Sequence, residues 1–597
     1  MQNLIPDPKE PLGVDCSVTG QRWVMNEIDE RLAEMLVRKE GLPEAIARVL
    51  AVRGIDPSFV SDYLKPTLRR LLPDPSSLQD MDKAATRIEK SIRTGGRIAI
   101  FGDYDVDGAT STALMARFLR FVGSDPIMYV PDRMDEGYGP NPEAITRLGK
   151  SGAELVVTVD CGISSHDSLS TAKSLGMDVV VIDHHAVEFP LPDAMAIVNP
   201  KRPDDESGLE GLAAVGVVFI TIVDINRRLR KAGWYGKNRP EPNLMKWVDL
   251  VALGTICDVM PLVGVNRAFA SQGLKIMGQR TNPGLAALGD VARMTEAPTT
   301  YHAGFILGPR INAGGRVGQA DLGARMLATD DPVEALEIAR KLDAYNYERQ
   351  EIEAVVFAEA LAQLDKTELG PVIFVAGEGW HPGVVGIVAS RLKERFNRPA
   401  CVASVEDGIG RASARSVRGV DMGSIVLAAK RDGMLLEGGG HPMAAGFTFK
   451  LDKLAEVAEF IGRDILHQME TMKDTSKLEI DGVISPGGAT PSFVHDLGRL
   501  APFGVGNPEP RFVLPGVRVQ RADIVGSNHV RCFIGNASGR IKAIAFRAMD
   551  NELGKLLLTP GGIPVHIVGR LRMDCWNGNE TVQLMIDDAV TAWRGGE

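Results

Sequence analysis

From about Leu78 onward, short β-branched runs alternate with helically spaced apolar stretches, a pattern that predicts βαβ units packed as a mostly parallel sheet with helices on both faces. Ile98 to Phe101, Ile127 to Val130, Leu155 to Val159 and Val179 to Ile182 read as strands, and Thr110 to Val122, Pro142 to Leu148 and Ser168 to Leu175 as helices. Ahead of them, residues 1–75 form a helical preface, with apolar spacing at Ile28, Leu32, Met35 and Leu36 that breaks at Gly54 and Pro57. The α/β pattern and the helices after it, Gly216 to Leu229, Trp247 to Leu253 and Ala268 to Met277, define a lobe over 76–330. Pro332 to Leu364 has few helix breakers and predicts one long helix over 331–368, either bridging two lobes or lying in the core of one. A second α/β unit follows over 369–472, with strands Val372 to Ala376 and Cys401 to Val405 around the helix Val384 to Phe396. Over 473–597 about five short strands separated by Gly, Pro and Asn turns suit a small β-barrel of the OB type, or a fragment of a sandwich.

Composition narrows the class. Of 597 residues, 44% are hydrophobic and 24% charged, which predicts a chain folded throughout. A net charge of −10 means that any polyanionic partner has to be held by local basic patches or by metal. The six cysteines are scattered without a CxxC pair, which reads as reduced thiols and argues against structural zinc. The N-terminus lacks a basic and apolar leader, and no apolar run approaches the roughly 20 residues of a membrane span, so a cytoplasmic protein without membrane attachment is expected.

Candidate chemistry sits where the strands stop. Ile98 to Phe101 leads into Asp103, Asp105 and Asp107, Leu155 to Val159 ends at Asp160, and Val179 to Ile182 ends at Asp183-His184-His185. Ligands of open α/β sheets bind outside the carboxyl ends of the strands, so these groups should converge. Asp258, in GTICDVMPL, is a further acidic candidate. So many carboxylates in one crevice repel each other unless a cation compensates, and carboxylate with imidazole suits Mn²⁺ or Mg²⁺. The number of acids exceeds the needs of one ion; two ions sharing a carboxylate would neutralise the cluster and activate water for attack on phosphorus.

In order and spacing, DYDVDG, VTVDCGIS, VIDHH and ICDVMPL resemble motifs I to IV of the DHH phosphoesterases. The likeness continues through GYGPN, LGPRINAGGRVG, HPGVVGIVASRL, GRASARSV and GGGHPMAAGF, and the wider chain is similar to the single-strand-specific bacterial exonucleases of that family. This resemblance implies a DHH catalytic lobe, a second lobe called DHHA1 and an OB-like barrel. It implies two ions, Mn²⁺ or Mg²⁺, with Asp105 at the first, Asp107, His184 and Asp258 at the second, and Asp160 bridging. Asp183 would orient the histidines, and His185 would face the scissile phosphate. Members often carry a histidine four residues before the first metal-binding aspartate; Phe101 stands there, leaving water or Asp103 to complete a weaker first site.

The resemblance also implies that Arg133, Ser413 and Arg415 hold a 5′ phosphate. Arg310, Asn312 and Arg316 would meet phosphodiesters in a glycine-rich segment where the backbone can approach closely. His381 would line the cleft or cap a helix, and Gly439, Gly440 and His441 would close over the strand or make a tight turn. Of the aromatics, Phe503, Phe533 and Phe546 fit the barrel core, with a few free to stack on bases. The activity implied is removal of nucleotides from the 5′ end of single-stranded DNA in recombination and repair, by a monomer served by a single-strand-binding protein and a helicase. The alternatives are a phosphodiesterase of short oligonucleotides or cyclic dinucleotides, and a non-catalytic scaffold, which would be expected to lose metal ligands.

Overall fold

The computed structural model describes residues 11–592 except 134–135, 188, 366–368, 471–476, 527, 550, 560–561 and 577–578. The chain divides into two compact units, one of residues 71–473 and one in which residues 1–70 join 474–597.

In the larger unit, β1 (Ile98–Phe101), β2 (Ile127–Tyr129), β3 (Leu155–Val159), β4 (Asp178–Ile182) and β5 (Ala196–Val198) form a parallel sheet in the order β2-β1-β3-β4-β5. Every residue of β1 and β3 is buried, as a strand covered on both faces requires. Helices α1 (Val106–Phe121), α2 (Ala214–Lys231) and α3 (Val248–Cys257) pack together beside it, α1 buried along nearly its whole length.

Two glycine-rich segments take regular structure. PRINAGGR, the glycine-rich segment expected to allow close approach, lies inside a helix, α4 (Gly308–Val317). The physical reason is packing: a side chain at Gly315 would stand 3.0 Å from the Tyr104 Cβ, so the small residues let the helix close on the acidic loop. The run Gly438-Gly439-Gly440-His441 is likewise strand rather than turn.

The long helix is present as α5 (Pro332–Leu364). Its first half packs on α4 and neighbouring helices, while Val356 and Ala360 near its end enter the core of the second lobe with Val384 and Val388. At about 1.5 Å per residue, 33 residues span about 50 Å, enough to serve both. In that lobe β6 (Ile373–Glu378), β7 (Ala400–Glu406), β8 (Ile409–Arg415), β9 (Glu437–His441) and β10 (Ala444–Lys450) run in the order β9-β10-β8-β7-β6, parallel only between β6 and β7. Helix α6 (Pro382–Phe396) packs on this sheet.

The smaller unit holds a five-stranded barrel. Strands Phe512–Val525, His529–Asn536, Gly539–Ala545, Pro564–Trp576 and Asn579–Thr591 close on themselves through the pairing of the first with the fourth. The helical preface does not stand by itself. Leu36, Ile46 and Leu50 share one core with Val530, Ile534 and Leu584, and Arg22–Met25 pairs in parallel with Lys477–Ile480. Buried Trp23 donates its indole N–H to Asp588 Oδ2 at 2.8 Å. A preface of this length buries too little apolar surface to stand alone, and the barrel supplies the missing face. Among the described residues, no helix is long and apolar enough to cross a membrane.

Candidate metal centre and phosphate pocket

Each acidic side chain is held by the element it ends or begins. Asp105 caps α1, accepting the Gly108 N–H at 3.0 Å. Buried Asp107 accepts the Ala214 and Val215 N–H groups at 2.6 and 2.9 Å, which places it against the N-terminus of α2. Asp160 follows β3 with φ +61, a left-handed conformation that carbonyl-bearing Asp tolerates better than most residues and that turns its carboxylate into the crevice. Asp258 sits just past the end of α3.

Three overlapping sets of ligand atoms result. Asp103, Asp105 and Asp160 form the first, Asp107, His184 and Asp258 the second, and Asp160, His184 and His185 a third that shares members with both, with all atoms of each set within 4.8 Å of one another. His184 joins them: its Nε2 lies 3.3 Å from Asp160 Oδ1, 3.6 Å from Asp258 Oδ2 and 3.7 Å from Asp107 Oδ2. Its Nδ1 is 3.1 Å from the Leu212 carbonyl, a bond that needs the proton on Nδ1 and leaves Nε2 with a lone pair for a metal.

Charge in this crevice is uncompensated. Burial, reinforced by Asp105, pushes Asp103 up to about 8 and Asp107 up to about 7; burial, reinforced by Asp107, lifts Asp258 to about 7. Asp160 is raised well above the carboxylate range by burial and by Asp107, Asp105 and Asp103. Oxygens of Asp103, Asp160 and Asp258 are buried without a hydrogen-bond partner. Buried orphan acceptors are costly, and divalent cations held by the first two sets would satisfy them, so the donor set fits Mn²⁺ or Mg²⁺. Asp103, whose place at the first site the sequence left open, belongs to the first set. Phe101 offers no ligand: it is a buried core residue stacked on Tyr129 at 5.1 Å.

Asp183 behaves differently from the other acids. Burial opposes its ionisation, but it accepts hydrogen bonds from His185 Nδ1 at 2.8 Å and from the Ile163, His184 and His185 N–H groups, which together hold its pKa below the ordinary value. The same contact outweighs burial at His185 and raises its pKa. Tyr138, in the GYGPN motif, donates to the Asp160 carbonyl at 3.1 Å and lies 3.2 Å from His185 Nδ1.

Beside the carboxylates lies a basic pocket. The Arg133 guanidinium sits 5.2 Å from the centre of the Tyr104 ring. Half-buried Arg316 donates to the Gly383 carbonyl of the second lobe at 2.9 Å, and desolvation, with Arg133, Arg349 and Arg415 nearby, lowers its pKa to about 10. Ser413 and Arg415, at alternate positions of β8, share one face and approach α6. A side chain at Gly386 would stand 2.9 Å from the Arg415 guanidinium and 3.4 Å from Ser413 Oγ. Four cations from four segments thus converge, of which Arg349 is paired with Glu353 on its own helix.

The remaining candidates are more varied. Arg310 bonds Asp343 of α5 and the Ile306 carbonyl, both at 2.8 Å. Asn312 has a buried, unpartnered Oδ1. His381 caps α6, accepting the Gly383 N–H at 3.0 Å, which is the helix-capping alternative. Gly439, Gly440 and His441 pair in β9 with Gly446, Ala445 and Ala444 of β10, and His441 is exposed. Sequence reasoning missed Tyr104, Arg349 and the Leu212 carbonyl. Tyr104 stands inside DYDVDG, but its contact with Arg133 leaves no mark in the sequence, and nothing in the sequence ties Leu212 to a histidine 28 residues away.

Comparison with known proteins agrees with this organisation. Residues 97–255 match the DHH family N-terminal domain, 369–465 the DHHA1 domain and 480–588 the RecJ OB domain. The chain is 35% identical over 96% of its length to the single-stranded-DNA-specific exonuclease RecJ of Bacillus subtilis, covering 71% of that protein. It is 36% identical to the protein of that name from Escherichia coli, over 92% of this chain and 96% of the other. Among solved structures it resembles RecJ of Thermus thermophilus in complex with Mn²⁺, with a TM-score of 0.79 and 28% identity over 96% of this chain and 79% of that one. The Mg²⁺ complex of the same protein gives a TM-score of 0.74 at 26% identity, over 95% and 78%.

Proposed function

The chain belongs to the RecJ family, and from that premise we propose that it hydrolyses single-stranded DNA from the 5′ end as a metal-dependent exonuclease. The observation that carries this reading is the juxtaposition of two carboxylate and imidazole clusters with a pocket of converging arginines, in a chain that also holds an OB barrel. Asp103 and Asp105 serve one ion, Asp107, His184 and Asp258 the other, and Asp160 both. When bound, two Mn²⁺ or Mg²⁺ ions neutralise the carboxylates, polarise a phosphodiester and activate water for in-line attack.

The protein's own groups do the rest. Asp183 fixes His185 Nδ1, so His185 Nε2 faces the leaving oxygen and gives it a proton. A raised pKa at His185 favours the protonated form this step needs. Arg133, Arg316, Ser413 and Arg415 hold the terminal phosphate, and planar guanidinium groups suit its bidentate recognition. Asn312 on α4 and Gly439, Gly440 and His441 of the second lobe line the course of the strand, while His381 caps α6 and Arg310 braces α4 against α5. The barrel favours a polymer over a dinucleotide, since a small ligand needs no further grip.

Such an enzyme works in DNA recombination and repair in the cytoplasm, as a monomer. It depends on a helicase to supply single strands and on a single-strand-binding protein to keep them open. Incubation with Mn²⁺ and a single strand labelled at either end, beside a duplex control, tests the reading. Mononucleotides released first from the 5′ label, with the duplex intact, are expected; release from the 3′ end or attack on the duplex would overturn it.

A further inference from the structure

Tyr301 and Phe305 are large aromatic side chains, 50% and 71% exposed, and their rings stack on one another at 5.4 Å and 23°. Paired aromatic surface left in water is informative, because a folded chain gains by covering it. The pair lies at a π-helical turn, His302–Leu307, a local structure that recurs at functional sites, and it runs directly into α4.

This turn is fastened beside the carboxylate cluster. Cys257, at the end of α3, donates its thiol to the Ala303 carbonyl at 3.4 Å, and Gly308 packs directly on the same sulfur. The next residue after Cys257 is Asp258, and after it comes Val259, 62% exposed with φ +59. A β-branched residue in that conformation is strained, and strain of this kind is kept where the surroundings demand it. From Gly308 at Cys257 to Gly315 at Tyr104, α4 advances about 10 Å, so it runs from the Asp258 side of the cluster to the phosphate pocket. The turn that carries the rings therefore lies at the end of α4 next to Cys257 and Asp258, and Arg316 lies near the opposite end.

We propose that Tyr301 and Phe305 form a base-stacking platform for nucleotides beyond the first on the 3′ side of the scissile phosphodiester, which a dinucleotide lacks. The proposal rests on the 5′-end nuclease reading above. A strand with its terminal phosphate among the arginines crosses the carboxylates and leaves past Asp258, where flat apolar rings meet it. Neutral rings beside an acidic cluster suit bases rather than phosphates, and stacking tolerates any sequence because every base has a π face.

The test is steady-state hydrolysis, with Mn²⁺, of a long 5′-phosphorylated oligothymidylate and of a 5′-phosphorylated dinucleotide. Phe305→Ala and Tyr301→Ala are expected to raise KM for the long strand roughly tenfold each and to leave the dinucleotide unchanged, while Phe305→Trp stays near wild type. Abasic nucleotides scanned inward from the 5′ end of the long strand should reproduce that loss in the wild type at one or two positions, and not add to it in Phe305→Ala. Unchanged KM, equal loss on the dinucleotide, or additive loss overturns the platform; unchanged KM assigns the rings to a protein contact instead. A wild-type protein inert on both substrates overturns the nuclease reading, and the platform with it.

Discussion

Asp160 occupies the position on which both ligand sets depend, since it belongs to the first and lies 3.3 Å from the His184 nitrogen of the second. Asp160→Ala is therefore expected to abolish hydrolysis, by at least a thousandfold, with the circular-dichroism spectrum preserved. Near-normal turnover would remove the shared-carboxylate assignment. At the neighbouring pocket, Arg415→Ala should erase the preference for 5′-phosphorylated over 5′-hydroxyl strands, seen as a fall in kcat/KM on the phosphorylated strand alone. Tyr104→Leu should move in the same direction by a smaller factor, because Arg133 loses the ring that supports it, whereas Tyr104→Phe keeps the ring and the preference. The metal-site residues were legible because strand ends in a parallel sheet face one crevice. Tyr104 and Arg349 were not, since a cation over a ring, or four cations in one pocket, depends on segments that only folding brings together.

Elements contribute what single residues cannot. The sequence marked PRINAGGR as a glycine-rich segment open to close approach without giving its conformation, and the same small residues make α4, a helix able to pack within 3.0 Å of the acidic loop. Gly438 to His441 reads as a turn by composition and forms a strand because β10 offers it a partner. Helix α3 carries a cost of its own: Asp249 is wholly buried, its Oδ2 has no partner, and burial lifts its pKa to about 7. A folded-state pKa above the unfolded value of 3.8 means that the folded chain keeps a proton the unfolded chain releases. The resulting stability is complete below about pH 4 and is lost as pH rises through 7. Asp249→Asn should therefore raise the unfolding temperature at pH 8, by up to about 4 kcal/mol of stability, and change it little at pH 4. Thermal unfolding at the two pH values checks this, and equal shifts at both would refute it.

At the scale of the molecule, the preface and the barrel make one unit across the 403 residues, 71–473, that lie between them in the chain. Trp23→Phe leaves Asp588 Oδ2 buried without its indole donor and should cost about 1–3 kcal/mol. Chemical denaturation followed by barrel fluorescence would register it, with hydrolysis of a 5′-phosphorylated dinucleotide unaffected; an unchanged midpoint would mean that Asp588 has another partner. The sequence by itself determined the strand-end acids, the α/β order of the two lobes and the five barrel strands. Each of these follows from local periodicity, and periodicity is a property of neighbours along the chain. Tertiary structure decided which carboxylates share an ion site, that Leu212 sets the His184 tautomer, that arginines from four segments meet, and that residues near Trp23 complete a core begun beyond Lys477. Those contacts join residues far apart in sequence through backbone groups and charge, which leave no pattern in the order of amino acids.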